Sequence, residues 1–216
     1  MTQLTADRKS ERKQGIIFAL PVAASAQIYS GAMVNSDAAG YVEPASDAAS
    51  ETFLGVSKKE ADNSSGANGD VTCEGYLKGV FQMNCSGMTQ ADLMKEAFVV
   101  DDNTVGLGIV AQPTNVTGVV LDRTPISTGG TKSLAYTNSG TTLSWGGGTA
   151  VDVSSDGTYT LTATDGSTLK AAVTAASLPG SDASDNIQLR YVKAGRIIEV
   201  AAATSVFVEL FSEAMK

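Results

Sequence analysis

Two Asp-Gly pairs, Asp156-Gly157 and Asp165-Gly166, bracket the run TYTLTAT, in which apolar and polar residues alternate. Alternation sends successive side chains to opposite faces of a strand, and Asp-Gly is among the strongest hairpin signals because it tolerates the positive φ of a two-residue turn. The same pattern recurs along all 216 residues: short alternating runs separated by clusters of Gly, Asn and Asp, with helical periodicity nearly missing. The sequence therefore predicts an all-β fold. One helix candidate stands out, TQADLMKEA, where Thr89 can cap and Asp92 follows three residues later as in a capping box; it cannot exceed two turns.

Read along the chain, residues 15–23 and 26–34 are strand material, and NSDAAG makes a turn before Tyr41 and Val42. ETFLGVSKKEA runs out into DNSSGANGD, a loop of turn-formers. VTCEGYLKGVFQMN, residues 71–84, reads as one long strand bent or bulged at Gly75 and Gly79, and AFVVDD and GLGIVAQ add two more. Composition shifts to Thr, Ser, Gly and Ala at about Pro125 and stays so to about Ile187. That region is expected to be an antiparallel unit of about four strands, its inner face built from Leu143, Trp145, Val151, Val153, Tyr159, Leu161, Leu169 and Val173. AGRIIEVAAATSVFVELF supplies two last strands that return to the first domain. The expected organisation is thus an N-terminal arm (1–15), a barrel-like or sandwich β core (16–124), an inserted small antiparallel β unit (125–187) and strands returning to the core (188–216).

The segment RKQGIIFALPVAASAQIYSG has the outline of an export signal: cations, a short apolar run, then Ala-Ser-Ala. Pro21 and the β-branched Ile16 and Ile17 make it a poor helix, and Asp7 and Glu11 dilute the positive charge, so an extended arm followed by a first strand is the preferred reading. Four of the chain's 15 cations, Arg8, Lys9, Arg12 and Lys13, lie in the first 14 residues against two of its 23 acids, which leaves 11 cations to 21 anions on the rest. A basic arm on an acidic body reads as a solvated terminus, or as a segment that docks on an acidic surface of a partner or another copy. Ile16, Ile17 and Phe18 behind it could add a strand to a neighbour's open sheet edge. The net charge of −8 argues against nucleic-acid binding, and no run is long enough to cross a bilayer as a helix.

Histidine is absent, which excludes Ser-His-Asp and Cys-His catalysis in their ordinary forms and most zinc sites. Cys73 and Cys85 have no C-x-x-C spacing and read as buried thiols. Asp101-Asp102, the Asp-Gly pairs, and Asp182 with Asp185 lack the D-x-D-x-D-G spacing of a calcium loop and read as turn-formers; no metal or cofactor is expected. GGG at 146–148 is followed by neither Lys-Ser nor Lys-Thr, so it is a turn and not a phosphate loop. Asn63, Asn84 and Asn115 begin Asn-x-Ser/Thr triplets, which matter only on an exported protein. Carboxylate-based glycoside hydrolysis survives these exclusions, but aromatics are 6% of the chain with one Trp, a poor supply of sugar platforms.

In order and spacing, ALPVAASAQIYSGAMV, NSDAAGYVEPASD, FLGVSKKEADNSSGANGD, GVFQMN, TQADLMKEAFVVDD and GRIIEV resemble the small decoration, or cement, proteins of tailed-bacteriophage heads. The resemblance covers residues 16 to about 110 and again 194–211, and the Thr/Ser-rich unit departs from it. It implies a barrel-like all-β core, association as trimers, retention of the LPVAAS segment as an internal strand, and a place on the outer surface of the virion capsid, bridging major capsid proteins, after synthesis in the host cytoplasm. A structural protein without enzymatic activity, with no nucleic-acid or membrane partner, is the expectation. The competing expectation is a carbohydrate- or cell-surface-binding β module with Tyr136, Trp145 and Tyr159 as stacking faces, whose alternative role is a small hydrophobic core. A secreted carboxylate enzyme is the third.

Overall fold

The computed structural model describes residues 6–7, 17–123 and 129–210, and the chain is all-β. It divides into two compact units, residues 1–107 with 191–216, and residues 108–190. Ten strands precede the second unit: β1 (Ile17–Pro21), β2 (Gln27–Ile28), β3 (Met33–Ser36), β4 (Val42–Pro44), β5 (Thr52–Ser57), β6 (Ala61–Asp62), β7 (Thr72–Tyr76), β8 (Val80–Asn84), β9 (Glu96–Val99) and β10 (Val105–Gly106). Seven lie within it: β11 (Val119–Arg123), β12 (Gly130–Thr137), β13 (Thr142–Trp145), β14 (Val151–Asp152), β15 (Gly157–Thr162), β16 (Thr168–Val173) and β17 (Ala183–Leu189). Two follow, β18 (Lys193–Ala202) and β19 (Ser205–Leu210).

The first unit contains two five-stranded sheets, ordered β1-β7-β5-β3-β4 and β10-β9-β18-β19-β8, and the small pair β2-β6. Each large sheet curls until its ends approach. Past β1, Val22 bridges Val42 and the Ala23 N–H donates to the Val42 carbonyl at 2.9 Å; at the end of β8, Asn84 bridges Thr104 and its N–H donates to the Asn103 carbonyl at 3.1 Å. Inside the curl of the first sheet, Phe18, Val22, Ile28, Val34, Leu54 and Cys73 form one core. On the other face, Met33, Phe53 and Val56 join Phe81, Val99, Ile197 and Val208 of the second sheet in a larger one. β5 therefore has both faces buried, which is why FLGV is a continuous apolar run where most strands alternate. Its centre needs glycine: Gly55 sits at φ +155, and a Cβ there would lie 2.0 Å from the Tyr76 carbonyl oxygen.

Turn chemistry sets the connections. In NSDAAG the Asp37 carboxylate accepts the N–H groups of Ala39 (2.9 Å) and Tyr41 (2.8 Å), closing the β3–β4 hairpin. Three expectations are corrected in this unit. Residues 71–84 form two strands in different sheets, β7 and β8, because the chain turns at Gly79 (φ +145). TQADLMKEA yields a single 3-10 turn at Gln90–Asp92, and the strand expected in GLGIVAQ is confined to Val105–Gly106.

The second unit is a sandwich of sheets β11-β16-β15 and β14-β13-β12-β17. Their inner faces share a core containing Leu121, Leu134, Trp145, Leu161, Leu169 and Leu189. Among the described residues, six strands begin in the region from Pro125 to Ile187 where about four were expected, and the unit starts well before the compositional shift near Pro125: β11 has no place in the first unit's sheets and pairs with β16 instead. Asp165-Gly166 turns the β15–β16 hairpin, as expected. Asp156-Gly157 does not make one, since it carries the chain from β14 in one sheet to β15 in the other. There the Asp156 carboxylate accepts the Ala175 N–H at 2.7 Å.

Candidate functional site

Arg8, Lys9, Arg12, Lys13 and Ile16 lie outside the described residues. Ile17 and Phe18 were expected as a strand offered to a neighbour. Instead both belong to β1 and pair with β7 of their own chain, Ile17 opposite Tyr76 and Phe18 opposite Gly75. Phe18 is buried because its ring fills the space that Gly75 leaves free; a Cβ on Gly75 would stand 2.4 Å from the Phe18 ring. Ile17 faces solvent and is 50% exposed.

The stacking faces expected in the second unit are also corrected. Trp145 and Tyr136 are buried in the sandwich core because alternation turns them inward along β13 and β12. Tyr159 packs half-buried against that core, and its hydroxyl donates to the Ser155 carbonyl at 2.8 Å. Neither Trp145 nor Tyr136 offers a ring face for a sugar.

Carboxylates hold the backbone. Asp185 accepts the N–H groups of Thr114 (3.1 Å), Asn115 (2.9 Å) and Val116 (2.8 Å), stapling the segment before β11 along β17. Its partial burial works to raise its pKa, but these donors outweigh the desolvation and hold it below the usual carboxylate range. Asp182 caps the Asn138 N–H at 2.9 Å. Asp92 accepts both the Thr89 N–H (2.8 Å) and the Lys95 ammonium (3.1 Å), and against its desolvation these keep its pKa low. Asp165 is lowered most, by the Lys132 ammonium beside it and by Ser167. Glu43 goes the other way: burial raises it, and the carboxylates of Glu51 and Asp37 add to the effect. Among the described residues no three His, Cys, Asp or Glu side chains are grouped so as to hold a metal ion.

Cys73 and Cys85 are free, buried thiols, raised by desolvation. The amide of Asn63 is buried and donates to the carbonyls of Ala23 and Ala67, both at 2.8 Å, so this triplet is closed to glycosylation in the folded chain. Asn115 spends its amide on the Ser184 carbonyl and the Asp185 carboxylate.

Two surface features bear on contact with a partner. Leu93, Met94 and Ile198 are 38%, 62% and 36% exposed, and they lie together because the Met94 N–H donates to the Ile197 carbonyl at 2.8 Å. Met94 holds a φ of +67, and Ile198 is turned outward by a register shift in β18 between Ile197 and Glu199. A bulge of this kind breaks the alternation on which a sequence reading depends. The other feature is the outer edge of β1, at the end of its sheet. Comparison with known proteins finds no matching family model, no matching curated protein and no matching solved structure.

Proposed function

We propose that the chain is a structural virion protein: a decoration protein that binds the outer surface of a phage head, bridges its major capsid subunits and transforms no molecule. The observation that carries this reading is a coincidence of boundaries. The segments resembling decoration proteins span residues 16 to about 110 and 194–211, and the first compact unit comprises residues 1–107 and 191–216. The resemblance thus follows a folded body, interrupted where that body is interrupted. Acidic side chains committed to turns and staples, and apolar residues left on the surface at Ile17, Leu93, Met94 and Ile198, suit a protein whose product is contact. Such a ligand stabilises a shell because it binds the assembled lattice and not the free subunits, and many weak contacts add up when copies bind side by side.

The test is reconstitution. Heads lacking the protein, incubated with the purified chain, are expected to gain surface density by electron microscopy and to resist heating better. Heads that show neither change at saturating protein overturn the proposal.

A further inference from the structure

The β1 edge carries an inference that needs no capsid. Val22 donates to the Val71 carbonyl at 2.9 Å. By the alternation of an antiparallel ladder, Leu20–Cys73 and Phe18–Gly75 are then the hydrogen-bonded pairs of β1 and β7. β7 agrees, since the Glu74 carbonyl is turned away from β1 and accepts the Lys58 N–H at 2.8 Å. The N–H and C=O groups of Ile17 and Ala19 therefore point out of the sheet, and among the described residues no strand lies on that side of β1 before the Val22–Val42 bridge. Pro21 closes the run and has no N–H to offer.

We propose that this edge pairs antiparallel with the same edge of a second copy, with Ile17 opposite the partner's Ala19 and Phe18 on the two-fold axis. In that register the N–H of Ile17 donates to the C=O of the partner's Ala19, the N–H of Ala19 donates to the C=O of the partner's Ile17, and the symmetry repeats both bonds. Every outward group of Ile17 and Ala19 is satisfied. Shifting the register to put Ala19 opposite Ala19 would set Pro21 against Ile17, where a donor is missing.

Charge, and the state of the other edges beside it, favour a second copy as the occupant. The chain carries −8 overall, yet IFALP has no charge, so two copies meet there without opposing like charges. The β4 edge would bring Glu43, with Glu51 and Asp37 beside it, against its own image. At β11 the Gln112 amide accepts from the Leu121 N–H (2.7 Å) and donates to its carbonyl (2.9 Å), closing that edge. β17 is covered by the bridge from Ile109 to Leu189 and by the Asp185 staple. β15 exposes Thr158 and Thr160, side chains that water serves well, whereas β1 exposes Ile17. The two-fold pair gives a dimer; the trimer implied by the resemblance would use a different surface.

Sedimentation equilibrium of the full chain across micromolar concentrations tests this. The wild type is expected to form dimers whose stability is insensitive to salt. Ala19→Pro removes an outward donor and leaves the β1–β7 ladder intact, and proline is tolerated on an edge. Ala19→Pro and Ile17→Lys are both expected to be monomeric, with Ile17→Lys keeping the wild-type circular dichroism spectrum and losing the concentration dependence of the melting temperature that dimerisation gives the wild type; if Ala19→Pro fails to fold, Ile17→Lys alone decides. A monomeric wild type, or an oligomer that persists in the folded variants, overturns the proposal. Because only the purified chain is measured, failure here is separate from failure on capsids.

Discussion

Asp185 organises one edge of the second unit, because one carboxylate satisfies three consecutive backbone N–H groups. Its pKa is lower folded than unfolded, so its stabilisation is complete above about pH 4 and is lost as pH falls through the folded value. Asp185→Ala is expected to cost about 2–3 kcal/mol at neutral pH, and the variant's urea midpoint is expected to depend less on pH below 4 than the wild type's. Asp182 and Asp185 read as turn-formers in the sequence, and the structure corrects this: Asp185 lies within β17 and Asp182 just before it, and each holds backbone distant in the chain, Asp185 at residues 114–116 and Asp182 at Asn138. Trp145 is a second case. The inner-face pattern placed it in the core, but its indole nitrogen is buried without a hydrogen-bond partner among the described residues. Trp145→Ala is expected to cost about 3–5 kcal/mol through the cavity it leaves. Trp145→Phe, which removes the unmatched donor, is expected to cost less than half of that in the same denaturation series.

Strands were legible wherever one face is wet, and misread where the chain changes sheets. Residues 71–84 alternate without a break in the text, yet they serve two sheets, and the only sign of the corner was Gly79. Asp156-Gly157 carried a hairpin signal that the structure does not use: Gly157 is the first residue of β15, and residues 153–156 carry the chain to it from β14 in the other sheet. β5 shows why a doubly buried strand is constrained at its middle: the backbone at Gly55 meets β7 so closely that any side chain strikes the Tyr76 carbonyl. Gly55→Ala is expected to destabilise the first unit by about 3 kcal/mol, from the strained φ and the clash together. The second unit, with its own core, serves as the internal control: its amide-exchange protection should hold while that of β5 and β7 falls.

At the scale of the molecule, the two ends of the second unit are joined by a hydrogen bond, from the Arg190 N–H to the Gly108 carbonyl at 2.9 Å. Replacing residues 108–190 by a short Gly-Ser link is therefore expected to leave a first unit that melts cooperatively, and residues 108–190 alone are expected to fold around Trp145. Circular dichroism and tryptophan fluorescence of the two fragments check both outcomes. Composition indicated that a second unit exists but placed its start too late, since residues 108–123 are ordinary in composition and are claimed by the sandwich through the pairing of β11, the burial of Val116, Val119 and Leu121, and the Asp185 staple. The same interruption orders events during synthesis. β8 and β9 must wait for β18 and β19, which leave the ribosome only after the second unit, so the guest can finish folding while its host is still an open, unmatched sheet. A nascent chain of this protein holds a completed inner module inside an outer one that is not yet viable, and whatever shields β8 and β9 during that interval governs how much of the product survives.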